Sequence, residues 1–307
     1  MRRFAVTTVL GLLLASAGAA AADGPLYLWR VAGEHATVHL TGSIHVGKPG
    51  FFPLDPALEQ AFTAAHALAV EVDIEDPANQ QAVATIMMQK AILPGDETLQ
   101  TRLGEEVWRR LEAYAEANGV ALGMYNKFKP GIVAMVLVMN EYQRQGFDPA
   151  LGIDKHFLDQ ARAATRPIRQ LESIEAQFDL FLQVNDQLDD ILMDEMLDQM
   201  DELPAMTARL VDLWQAGDAE GMDRFMAEQI GDEPEMIAFY RTLLDDRNLA
   251  MADSVDAWLR GDRDVFVVVG AGHFGGEQGL LRLLEGKGWE VEQVERAGRP
   301  AAPEPVR

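Results

Sequence analysis

The chain has 307 residues, a formal charge of −23 and no cysteine. So acidic a balance repels phosphate backbones and anionic lipid head groups, which argues against nucleic-acid binding. The missing cysteines exclude disulfides, thiolate nucleophiles and thiolate-bound metals, leaving His, Asp and Glu as the only strong metal donors.

Arg2 and Arg3 precede an apolar run from Val6 to about Ala15, and the small residues SAGAAAAD follow. That order is the pattern of a secretory leader at 1–22, cleaved near Ala22, so the mature chain is expected to begin at Asp23. The apolar run is shorter than the ~20 residues of a membrane span. The expected protein is periplasmic or secreted, with no stable membrane insertion after cleavage. Loss of two arginines changes its formal charge to 24 − 49 = −25.

LYLWRVAGEHATVHLTG reads as two strands turning at Gly33–Glu34, a hairpin that opens the mature domain. A helix is expected over 54–66, with Asp55 as N-cap and Pro56 at its first position. ALAVEVDI at 67–74 reads as a buried strand interrupted by Glu71 and Asp73, which strand alternation would point to one face. Two like charges there require a cation or a hydrogen-bond network, unless the strand is an edge with a polar side.

Helical patterns dominate the middle, at 76–91, 99–118, 130–145, 153–164, 173–200, 204–216, 218–229 and 233–260, the last broken near Asp246. One short strand, RPIRQLES at 166–173, interrupts them. The acid-rich stretch 183–204 reads as a solvated helix face. The chain then returns to strand, helix and strand in DVFVVVG, GGEQGLLRLLEGKG and WEVEQV, and the tail at 297–307 is expected to be disordered. The fold class is α/β, a domain over 23–296. Its central mixed sheet is built from two β-rich halves, each with a strand–GxxH motif, separated by a large helical insertion at about 76–260.

In each half a strand runs into glycine and, three residues on, histidine: Gly42 to His45 and Gly270 to His273. Ligands of α/β sheets gather beyond the carboxyl ends of the strands. Glycine there permits a sharp turn or a close approach. Each histidine either serves a ligand or makes a local hydrogen bond at the strand end. Two neutral imidazoles with a carboxylate form a plausible divalent-metal site, able to activate water for attack on a carbonyl, with a non-ligating acid as general base.

The remaining histidines have simpler readings. His39 is a strand residue, His35 a solvated turn residue and His66 a helix-end residue. His156, two residues after Asp154, has a supporting role open to it. The fourteen methionines fit core packing better than an adaptable groove. No G-x-S-x-G elbow or P-loop is present, and His273 and Phe274 break the dinucleotide-like start at Gly270.

Taken together, GSIHVG, AVEVDI, LGID at 151–154, QLESIEAQ at 170–177, DRN at 246–248 and GAGHFGGEQGLLRLLEGKGWEV resemble the TraB/GumN family, which includes the TIKI-type metalloproteases. The likeness covers nearly the whole mature chain and keeps the motif order. It implies a divalent cation (Mn²⁺, Co²⁺ or Zn²⁺) at His45, Glu71 and His273, with Gly42 and Gly270 at the ligand, and hydrolysis of a peptide or other small substrate. It also brings Asp154, Glu172, Arg247 and Asn248 to the cleft. Arg247 is then a candidate oxyanion donor, and Glu172 or Asp154 a support for a histidine or for Arg247. The alternative is a non-catalytic protein that binds a metal, haem or small ligand on the same fold.

Overall fold

The computed structural model describes residues 24–182, 186–230 and 234–296. The expected leader, its cleavage point and the tail lie outside them. Six strands form one mixed sheet: β1 (Pro25–Ala32), β2 (Thr37–Ser43), β3 (Ala67–Val70), β4 (Ile168–Gln170), β5 (Val265–Gly270) and β6 (Val291–Glu295), in the order β4-β3-β5-β2-β1-β6. The β4, β3, β5 and β2 neighbours run parallel, whereas β1 is antiparallel to both β2 and β6. The two β-rich halves interleave, because β5 enters between β3 and β2.

All residues of β5 and β3 are buried, which is why their sequences are continuous apolar runs instead of alternating ones. The opening hairpin closes where Gly33 N–H donates to Ala36 O at 2.7 Å. A side chain at Gly33 would strike the Leu259 carbonyl, 2.1 Å from the Cβ position.

The helices are α1 (Pro56–Ala64), α2 (Pro77–Gln89), α3 (Leu99–Arg102), α4 (Glu105–Asn118), α5 (Pro130–Arg144), α6 (Ile153–Ala163) and α7 (Ile174–Leu182), then α8 (Asp186–Gln199), α9 (Leu203–Gln215), α10 (Ala219–Ile230), α11 (Pro234–Tyr240), α12 (Asp246–Leu259) and α13 (Leu280–Gly286). Asp55 caps α1 as its position suggests, accepting from Ala57 N–H at 2.9 Å. Buried methionines such as Met193, Met196, Met226 and Met251 belong to the main core.

Four local expectations change. The strand over 67–74 ends at Val70, so Glu71 and Asp73 do not share a strand face. Asp73 instead closes a turn, accepting from Glu75 N–H at 3.1 Å, and pairs with Arg162. The helix over 99–118 divides, because Leu103 is extended and Gly104 starts α4 with its N–H donated to Asp190 Oδ1 at 2.7 Å. The acid-rich face of α8 is not simply solvated: Asp189, 2% exposed, receives Arg102 Nε at 2.9 Å, and Asp194 and Asp198 pair with Arg110. Finally, the helix near Asp246 widens instead of breaking, through a π-turn at Arg241–Asp245. The three residues at 183–185 and the three at 231–233 lie outside the described residues.

Candidate functional site

The register of β2 on β5 sets Ser43 opposite Gly270, so the two GxxH loops leave the sheet side by side at its carboxyl rim. The first loop is stitched to the start of α6. Ile153 N–H donates to Ile44 O at 2.9 Å, and Gly47 and Asp148 exchange backbone hydrogen bonds of 3.0 and 2.9 Å. Gly152 permits this contact, since a Cβ there would lie 2.5 Å from His45 O. The stitching places Asp154, in the first turn of α6, beside His45, with Asp154 Oδ2 3.0 Å from His45 Nδ1.

The second loop is held from α12. His273 Nδ1 lies 2.6 Å from Asn248 Oδ1, and Asn248 Nδ2 donates to Gln278 O at 2.9 Å. An amide oxygen only accepts, so His273 carries its proton on Nδ1. Both histidines thus have Nδ1 tied to an acceptor, the arrangement that leaves Nε2 available to a ligand.

Glu71 follows β3 and lies between the two loops. Its Oε1 accepts from Gly270 N–H at 2.6 Å and lies 3.7 Å from His273 Nε2. Its Oε2 accepts from Arg247 Nη2 at 2.5 Å and Gln177 Nε2 at 2.9 Å. Arg247 also clasps Glu172, through Nε at 2.6 Å and Nη2 at 2.7 Å, and donates from Nη1 to Leu243 O at 2.8 Å. That last bond reaches into the π-turn. With its donors directed to two carboxylates and a carbonyl, Arg247 is placed to hold the acids, which departs from the oxyanion role considered above.

The three groups converge over Gly270. A Cβ added there would lie 3.2 Å from Glu71 Oε1, 3.5 Å from His273 Cδ2 and 4.0 Å from His45 Nε2. The glycine therefore keeps a hollow open between them. Gly42 has a different part: its side-chain space is filled by the Tyr27 ring at 2.5 Å and Ala271 Cα at 2.9 Å, and its carbonyl accepts from Trp214 Nε1 at 2.8 Å. It packs the rim and leaves no opening for a ligand.

Burial opposes charge on every one of these groups, and their neighbours decide the outcome. At His45, burial favours the neutral ring, but the Asp154 carboxylate, assisted by Glu71, outweighs it and raises the pKa to about 9. At His273, burial and then the Arg247 charge lower it to about 3, against the pull of Glu71. Glu71 is held well below the usual carboxylate range: burial would raise it, but Arg247 above all, then the two histidines and Gly270 N–H, overcome that. The site thus pairs one protonated imidazole with one neutral imidazole around an ionised glutamate.

The donor chemistry of the imidazoles fits a divalent cation, because both rings border one hollow and both Nδ1 atoms are occupied. Glu71 fits less closely, with Oε2 engaged twice and only Oε1 turned to the hollow. Among the described residues no group of three or more His, Asp or Glu side chains is gathered at coordinating distance.

Asp73 and the other histidines lie outside this constellation. His156 binds Glu59 Oε1 and Gln160 Nε2, each at 2.7 Å, and His66 binds Arg263. Gln177 is the residue that sequence reasoning missed. Its amide bridges Glu71 Oε2 and Glu172 Oε2, at 2.9 and 3.0 Å. The available signal was Ser173, whose Oγ accepts from Ala176 N–H at 3.1 Å and starts α7, putting Gln177 one turn beyond Ser173, next to Glu172.

Strand-end histidines, a buried glutamate and an arginine clasp at the carboxyl rim of a parallel ladder define an α/β protein with a buried polar cluster at that rim. A family model described as TraB/PrgY/gumN matches residues 27–293, and the chain belongs to that family. The resemblance in the motifs is borne out over nearly all of the described chain. The uncharacterized protein YbaP of Escherichia coli K12 is 28% identical over 246 residues, covering 80% of this chain and 87% of YbaP. YbaP of Shigella flexneri matches to the same extent. Metalloprotease TIKI2 of Xenopus tropicalis is 25% identical over 320 residues, covering 87% of this chain and 60% of TIKI2. No solved structure matches the chain.

Proposed function

We propose that this protein is an exported metal-dependent hydrolase, acting on a peptide or another small acyl substrate, with His45 and His273 as imidazole donors and Glu71 as their carboxylate partner. The observation that carries this reading is the convergence of His45 Nε2, the His273 ring and Glu71 Oε1 on the hollow over Gly270. The distant likeness to a metalloprotease is in keeping with it. A divalent cation bound there would polarise a carbonyl and lower the pKa of a bound water.

The chain's own residues prepare that site. Asp154 orients His45 by accepting a hydrogen bond from its Nδ1–H, Asn248 does the same for His273, Arg247 keeps Glu71 ionised, and Gln177 helps to hold it still. Glu172 completes the clasp by fixing Arg247.

The test is calorimetric titration of the mature protein with Mn²⁺, Co²⁺ and Zn²⁺, beside His45→Ala and His273→Ala, followed by incubation of the loaded protein with a peptide library. Micromolar or tighter binding by wild type alone, with new peptide termini, is the expected result. Equal binding by the variants would remove the assignment. The rival reading, a non-catalytic binder on the same fold, draws support from Glu71 having both oxygens engaged, which makes it a poor general base. Metal binding without new termini would favour it. Export rests on the leader pattern at 1–22, and N-terminal sequencing of protein from a periplasmic extract checks it. Among the described residues no helix is long and apolar enough to cross a membrane.

A further inference from the structure

Ser43 is the second residue of the first GxxH motif, and no role has yet been given to its hydroxyl. It pairs with Gly270 across the β2–β5 ladder, and residues paired in this way project to the same face of a sheet. At Gly270 that face is the hollow where Glu71 Oε1, His273 and His45 Nε2 converge. The Ser43 side chain therefore stands about one strand spacing, ~4.8 Å, from that point.

The side chain is wholly buried, 0% exposed, and its Oγ has no hydrogen-bond partner. Thr41, two residues earlier on the same face, shows the ordinary solution: its Oγ1 donates to Tyr27 O at 2.7 Å. Asp154 Oδ1, at the start of α6, is likewise buried without a partner. A buried hydroxyl left unpaired is destabilising, whereas an alanine in the same slot carries no such penalty. The serine thus makes sense if its partner comes from outside the chain. A divalent cation held by the two imidazoles would draw an oxygen lone pair to the hollow, and a hydroxyl donor beside it suits that oxygen.

We propose that Ser43 is a ligand-contacting residue, its Oγ–H donating a hydrogen bond to a carbonyl or carboxylate oxygen bound over Gly270. The inference rests on the hydrolase reading and narrows it: the ligand presents an acyl oxygen to the β2 side of the site, away from the Arg247 clasp.

Ser43→Ala and Ser43→Cys test this in the full mature chain through three measurements: the thermal midpoint of metal-free protein, Mn²⁺ affinity, and acetate affinity with and without Mn²⁺. A ligand-contacting hydroxyl predicts a midpoint for Ser43→Ala at or above that of wild type. It also predicts Mn²⁺ affinity within about twofold for both variants, and acetate affinity lowered about 10-fold. A lowered midpoint would show that the hydroxyl supports the fold, and would overturn the proposal. Unchanged acetate affinity, or no acetate binding by wild type in either state, would overturn it too. If wild type binds acetate but no Mn²⁺, the hydrolase reading fails, while the metal-free acetate comparison still decides the role of Ser43.

Discussion

Gly270 has an ordinary backbone, with φ −50° and ψ 138°, so alanine can stand there without backbone strain. What alanine brings is a methyl group in the hollow, 3.2 Å from Glu71 Oε1. Gly270→Ala is therefore expected to keep a thermal midpoint close to wild type and to lower Mn²⁺ affinity at least about tenfold, read by calorimetry. His45 supplies a second test. Its pKa is raised from 6.5 to about 9, so at neutral pH a cation must displace its proton. Mn²⁺ affinity should climb as pH rises toward 9, with close to one proton released per ion, measured by titration in buffers of different ionisation enthalpy. The metal-free fold should respond in the opposite sense. A raised folded-state pKa contributes stability that is complete below 6.5 and lost as pH rises through 9. His45→Gln should remove that part of the wild-type pH dependence. The histidines and Glu71 were legible as isolated letters at strand ends. Gln177 and the Asp154–His45 contact were not, because each depends on which helix turn packs against which loop.

At the scale of elements, the helical region was legible as a set of apolar stripes, yet two features depended on tertiary contacts. Gly104 ends one helix and starts the next because Asp190 of α8 receives its N–H, a partner far along the chain. The acids of α8 looked solvated because their cations lie on α3 and α4, not among the neighbouring residues. Those pairs differ in burial, which sets their energies apart. Arg102→Ala takes a charged contact from the buried Asp189 and should cost about 3 kcal/mol in urea unfolding. Arg110→Ala loses partly exposed pairs and should cost under about 1 kcal/mol. Equal losses would show that burial does not distinguish the two arginines. The π-turn was read as a break because a polar run ends one apolar stripe and begins another. The structure instead inserts a wider turn that re-phases the helix, and Leu243 O within it anchors Arg247.

At the scale of the molecule, the site exists only because the register of β2 on β5 joins distant halves of the chain. The sequence supports two matching strand–GxxH units and a mixed sheet. It holds no direct record of the order β4-β3-β5-β2-β1-β6, since strand neighbours are chosen by packing. A double-mutant cycle tests whether both halves serve one ion. His45→Ala and His273→Ala should each abolish high-affinity Mn²⁺ binding, and the double variant should bind no more weakly than either single one, the non-additivity of groups acting on a shared ligand. Additive losses would indicate two separate sites.

The pairing of β1 with β6 also bears on biogenesis. The first strand of the sheet hydrogen-bonds to the last, and Arg296 N–H reaches back to Gly24 O at 3.0 Å. A nascent chain cannot finish that sheet while β6 is still inside the ribosome. Such dependence on contacts between remote parts of a polypeptide makes folding slow and leaves apolar strands uncovered meanwhile. Closure of the sheet is thereby the last step of its assembly, waiting on the release of β6.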